Sequence, residues 1–135
     1  MALRILKTDQ SLVQRSPRIE EPDYLDWIRK LPCLVCLRPS DPYLGRTHPA
    51  HIRYNDARFG AFTGGGERPD DRFSLPLCVK HHVEQTDVGE GPQYWEGLGM
   101  TPHAMCLALR HIAYPSIEEG GKLVKAWHGW ISDGR

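Results

Sequence analysis

Two short motifs constrain this chain more than anything else in it: Cys33-Leu34-Val35-Cys36 and, well downstream, Cys78-Val79-Lys80-His81. A C-x-x-C followed by a C-x-x-H is the ligand spacing of a closed tetrahedral zinc site. The chain must then fold so that a tight knuckle at 33–36 meets the start of a second element at 78–81. The alternative is four unrelated residues. The same stretch, Ser74-Leu75-Pro76-Leu77-Cys78-Val79-Lys80-His81-His82, carries a second imidazole directly after the first.

The remaining composition fits that frame. A length of 135 residues suits one domain with a modest core. The 13 Gly and 11 Pro point to short elements joined by many loops. Lys plus Arg equals Asp plus Glu at 17 each, so overall charge gives no argument for a nucleic-acid partner. The charge is unevenly placed, however. Arg4, Lys7, Arg15 and Arg18 face only Asp9 in residues 1–19, an arm that either contacts phosphates or is solvated. No stretch reaches the roughly 18 apolar residues of a membrane span, and the N-terminus has no apolar signal region. A cytoplasmic, reducing compartment follows, in which cysteines at this spacing are thiolate ligands rather than disulfides. Cys106 lies in an apolar helical run and reads as a buried small residue.

Along the chain, Pro22 opens a helix with Tyr24, Leu25, Trp27, Ile28 and Leu31 at helical spacing, and Pro32 stops it at the knuckle. Residues 49–54 alternate as a short strand, with His51 and Arg53 on one face and Ala50, Ile52 and Tyr54 on the other. A long Gly-rich loop over 55–72 follows, and loops of that length in a compact domain are often functional. Residues 73–77 read as a second strand, limited to an edge by Pro76. Helices are expected from Cys78 to about Asp87, over 93–98, from Pro102 to about Ala113, and over 117–131. Tyr94, Trp95, Leu98, Trp127 and Trp130 are expected to pack these C-terminal helices. His103, His111 and His128 have no partner spacing.

A knuckle and a helix start enclosing one zinc make a treble-clef arrangement, with Cys33, Cys36, Cys78 and His81 as a structural Zn²⁺ site. On a helix, adjacent residues point about 100° apart. His82 therefore faces elsewhere than His81, towards the strand that carries His51. Two imidazoles placed this way suit phosphodiester hydrolysis: one takes a proton from water while the other helps hold a divalent ion. For His82 the plainer role is a cap or a satisfied core histidine.

Pro-Cys-Leu-Val-Cys (32–36), Ala-His-Ile-Arg (50–53), Arg-Pro-Asp-Asp-Arg-Phe (68–73), Pro-Leu-Cys-Val-Lys-His-His (76–82), Gly-Glu (89–90) and Tyr-Trp-Glu (94–96) occur in an order and spacing that resembles the HNH superfamily of ββα-metal endonucleases. More narrowly, the chain is similar to small phage and prophage HNH-like proteins over roughly residues 16–110. The resemblance implies an α+β fold: a treble-clef, zinc-stabilised ββα-metal core with flanking helices. It also implies DNA as partner and Mg²⁺ or another divalent cation as catalytic cofactor. In that pattern His51 is the general base, His82 a ligand of the catalytic metal, and Arg53 a phosphate contact. Asp70 or Asp71 supplies the supporting polar residue of the loop.

Two positions depart from the pattern. Thr86 stands one helical turn after His82, where the family has another His, and Ala50 stands where many members have a ligand just before the base. His48 is placed either to compensate as a metal ligand or to be a loop histidine with no role. The expected organisation is a basic arm over 1–20, an HNH-like zinc domain over 21–113, and a C-terminal helix over 114–135 packed on that domain. The expected function is a metal-dependent DNA endonuclease. The alternatives are a catalytically weakened or inactive zinc module that binds DNA or protein, and a structural zinc domain with no nucleic-acid role.

Overall fold

The structure is a computed structural model that describes residues 19–39, 47–61, 69–89 and 91–133. The basic residues of the arm, the triple-glycine part of the long loop and Glu90 lie outside the described residues. What is described is a small α+β fold, with five α-helices and a two-stranded sheet. The elements are α1 (Pro22–Ile28), β1 (His48–His51), a 3-10 turn (Ala57–Phe59), β2 (Ser74–Leu77), α2 (Val79–Val88), α3 (Gln93–Gly97), α4 (Pro102–Ala108) and α5 (Ile117–Asp133).

α1 begins as expected with Pro22 at the helix start, where a missing N–H costs nothing. It is shorter than its apolar period: the helix ends at Ile28, and Leu31 N–H donates to Ile28 C=O in a tighter turn. Tyr24, Trp27, Ile28 and Leu31 are all buried. The residues before α1 are anchored as well. Ile19 N–H donates to Asp70 Oδ1, Glu21 N–H donates to Asp71 Oδ2, and Arg110 donates to Glu21 Oε1 at 2.7 Å.

β1 and β2 pair antiparallel with His48 opposite Leu77 and His51 opposite Ser74. This register sets Pro49 against Pro76. Antiparallel pairs alternate between hydrogen-bonded and non-bonded positions. Ile52 N–H donates to Phe73 C=O, so by alternation the two prolines occupy a non-bonded position, where neither needs an N–H. The Pro76 carbonyl serves a different partner, accepting from Leu34 N–H at 2.9 Å. That bond ties the knuckle to β2 two residues before Cys78. β1 is shorter than the expected 49–54 and begins one residue earlier. Its alternation continues past the pairing, with Ala50 and Ile52 buried and His51 and Arg53 partly exposed.

The C-terminal half covers the other side of the core. α4 runs on through a π-helical turn over Leu109–Ala113, in place of one continuous α-helix to 113. α5 buries Gly120, Val124, Trp127 and Ile131, a stripe at helical spacing, and Gly120 lies against Trp27 and Leu31. His128 donates from Nδ1 to the Leu34 carbonyl at 3.3 Å, joining α5 to the knuckle. Trp95 and Trp127 are buried as expected, but Trp130 is 67% exposed. It lies one residue from the buried stripe and turns its ring outward, a position that helical period alone does not exclude. No helix among the described residues is long and apolar enough to cross a membrane.

Candidate metal centre and histidine cleft

The knuckle is built by its own backbone. Cys33 N–H donates to Arg38 C=O, and Leu37 N–H donates back to Cys33 C=O at 2.7 Å. Leu37 closes the turn at φ 59°, a left-handed conformation that a non-glycine residue adopts at some cost. On the other side, Cys78 is the residue that precedes α2, so His81 sits in the first turn of that helix. β2 delivers Cys78, and the Leu34–Pro76 bond sets the spacing between the two halves.

The four expected ligands meet. One donor atom each from Cys33, Cys36, Cys78 and His81 lies within 4.8 Å of the others. Cys36 Sγ and Cys78 Sγ are 3.8 Å apart, Cys33 Sγ and His81 Nδ1 3.7 Å, and Cys78 Sγ and His81 Nδ1 3.2 Å. Bond lengths of about 2.3 Å to sulfur and 2.1 Å to nitrogen put tetrahedral ligand atoms about 3.6–3.8 Å apart. Two of the three separations match, so the donor set and its spacing suit a metal such as zinc. Burial pushes the Cys33 thiol up to about 12, which means that a buried thiolate there needs a cation beside it. Burial also works against the Cys78 thiolate, but hydrogen bonds from the His81 backbone and from the neighbouring thiols outweigh it and hold that thiol below its usual range. Burial favours the neutral, ligating form of His81. The His81 Nε2 lies 3.8 Å from Glu84 Oε1, the kind of outer carboxylate that orients a ligating imidazole. Cys106 is fully buried in α4, away from this group, as expected of a packing residue.

The second group of histidines lines a cleft of about 510 Å³. α1 and the turn after it contribute Leu25 and Arg29; β1 and its continuation contribute His48, Pro49, His51 and Arg53; α2 contributes His82 and Thr86. The sequence reading places His82 towards the strand of His51. The structure turns it towards the same strand but against another residue: His82 Nδ1 and His48 Nδ1 are 2.9 Å apart, with the rings edge to face. His51 turns instead to the loop before β2, where its Nε2 is 2.9 Å from Asp71 Oδ1. Of the two candidate acids, then, Asp71 supports the histidine. Asp70 holds Ile19 N–H and lies 3.6 Å from Arg72. Asp71 is nearly buried, and its second oxygen accepts from Glu21 N–H. Nε2–H donation to a carboxylate selects the His51 tautomer whose lone pair is on Nδ1. Thr86 is one turn from His82, but its hydroxyl donates to the His82 carbonyl at 3.1 Å.

Sequence reasoning missed two residues. Arg29 reaches the cleft from α1; its only signal is that it follows Leu25 by one helical turn. His103 is buried, with Nε2 donating to the Tyr54 carbonyl at 2.9 Å and with Tyr54, Phe59 and Phe73 packed around its ring. Its place in an apolar helical run gave no hint of that partner, which lies across the fold. Compared with known proteins, the chain matches no family model, no curated protein and no solved structure.

Proposed function

We propose that the protein is a metal-dependent DNA endonuclease of the HNH type, in which a treble-clef zinc knuckle holds a ββα-metal frame made of β1, β2 and α2. The observation that carries this reading is the cleft: His51, seated on the buried Asp71, shares it with His48, His82 and Arg53. His51 accepts a proton at Nδ1 from a water molecule as the water oxygen attacks phosphorus. The P–O bond to the leaving sugar oxygen breaks, and that oxygen takes a proton from solvent. Asp71 keeps the ring in the required tautomer and stabilises the imidazolium that forms. Arg53 holds a non-bridging oxygen through charge-assisted hydrogen bonds.

His48 and His82 are the residues that would hold the divalent cation. Two nitrogens about 2.1 Å from one ion at a right angle lie about 3.0 Å apart, close to the 2.9 Å between the two Nδ1 atoms. His48 thus takes the part that the family pattern gives to the residue at 86. The ion would supply charge stabilisation at the scissile phosphate, and an imidazole pair suits Ni²⁺ or Zn²⁺ better than Mg²⁺.

Plasmid nicking tests the reading. Wild type is expected to cut with Ni²⁺ or Zn²⁺. His51→Ala is expected to lose at least about 100-fold in rate, the usual size of a general-base contribution, and Asp71→Asn to lose a smaller factor. A His51→Ala variant as active as wild type removes the proposed base. One observation favours a second reading, a non-catalytic DNA-binding module: Thr86 commits its hydroxyl to the helix backbone, leaving the cation only two imidazoles. Wild type inert with every metal, and Thr86→His active, would establish that reading.

A further inference from the structure

Equal numbers of acidic and basic residues predict no particular sign for any one surface. The cleft's described residues nevertheless lean one way. Its described lining holds two arginines and three histidines and no carboxylate. Asp71, whose Oδ1 is 2.9 Å from His51 Nε2, is 2% exposed and is not among the residues lining the cleft. The two arginines come from different parts of the fold. Arg53 extends the strand that carries His51, whereas Arg29 stands at the end of α1, apart from the residues assigned to the reaction. α1 is fixed there by its buried Tyr24, Trp27 and Ile28 and by the Glu21 bonds to Asp71 and Arg110. The backbone that carries Arg29 therefore starts from a set position. Arg29 pairs with Asp26 at 2.6 Å, an exposed i,i+3 contact of the kind that contributes little.

Resting on the nuclease reading above, we propose that Arg29 is a second phosphate anchor, gripping a backbone phosphate next to the scissile one, so that the substrate is a polynucleotide strand laid along the cleft from α1 to β1. The planar guanidinium suits bidentate capture of a phosphate. Arg29 acts on position and not on the reacting atoms.

The neighbouring Lys30 makes a sharp control. It has the same charge but belongs to a different hollow, beside Lys125. Binding of a short labelled DNA duplex, without added divalent metal, is followed by anisotropy over a range of salt. Arg29→Gln is expected to reduce the slope of log K against log salt by about 0.9, one phosphate contact. Arg29→Lys should keep the wild-type slope, and so should Lys30→Gln. An unchanged slope in Arg29→Gln overturns the proposal, as does an equal drop in Lys30→Gln, which would mean diffuse charge and no anchor. The two readings separate cleanly. Arg29→Gln with the wild-type slope in a protein that nicks plasmid removes the anchor and leaves the nuclease. The expected slope change in a protein that never cuts leaves the anchor on a binding module. Failure of the wild type to bind DNA overturns both.

Discussion

His103 is the residue whose environment differs most from what its neighbours in sequence suggest. Burial holds its imidazole below the ordinary histidine range, with the Tyr54 carbonyl and Asp56 pulling the other way. The folded protein thus keeps His103 neutral at a pH where the unfolded chain, titrating near 6.5, begins to take up a proton. The unfolded state binds more protons, so stability falls as pH falls below about 6.5, by up to about 1.4 kcal/mol per pH unit for this one group. His81 shifts in the same direction, so wild type alone cannot isolate the effect. His103→Gln keeps an N–H for Tyr54 without a titrating ring. The urea midpoint of wild type should fall towards that of His103→Gln between about pH 7.5 and 5.5. A constant difference across that range would show that His103 does not titrate on unfolding.

Among the elements, α5 provides two adjacent glycines with opposite demands. A Cβ on Gly120 would lie 2.6 Å from Trp27 Cζ2 and 2.9 Å from Leu31 Cδ2, side chains that are themselves buried. A Cβ on Gly121 would meet nothing within 4 Å. Gly120→Ala must therefore push apart the contact between α5 and α1, at about 1–3 kcal/mol. Gly121→Ala removes backbone entropy from the unfolded chain and should add up to about 1 kcal/mol. Thermal unfolding of the two variants checks this. Equal shifts, or a stabilised Gly120→Ala, would mean that α5 does not rest on Trp27 as described. The π-helical turn before α5 shows the limit of element-level reading. The period of 102–113 reads as one helix, and the widened turn changes its hydrogen-bond pattern without changing which residues are apolar.

For the molecule as a whole, the Cys3His group closes the chain between Cys36 and Cys78, a separation of 42 residues. It joins the knuckle to the sheet and helix that carry the cleft. A metal bound only by the folded state stabilises it by about 4 kcal/mol at a thousand-fold excess over Kd. In a domain of this size that is a shift of at least about 10 °C in Tm. Stripping the metal with a strong chelator, or replacing Cys33 by Ser, should lower Tm by that amount. A protein verified to be metal-free with an unchanged Tm would show that the group is not a structural metal site.

The parts of this structure legible in the sequence were those encoded by spacing. Ligand pairs three residues apart, a proline at each end of the segment holding α1, and alternation around His51 depend only on local geometry, and each appears close to where it was expected. The cleft's pairings were not legible in this way. His51 with Asp71, His48 with His82, Arg29 across from β1, and His103 under Tyr54 join residues 20 to 49 positions apart or on separate elements. Which imidazole meets which partner depends on strand register and on how α1 and α2 flank the sheet. Those are set by packing of the buried core and by the Leu34–Pro76 bond. The sequence by itself determined that a knuckle and a helix start would share one site. Only the tertiary structure decided that the histidine after that site would face His48 and leave His51 to a buried aspartate, because a helix direction and a loop carboxylate meet only once the chain is packed.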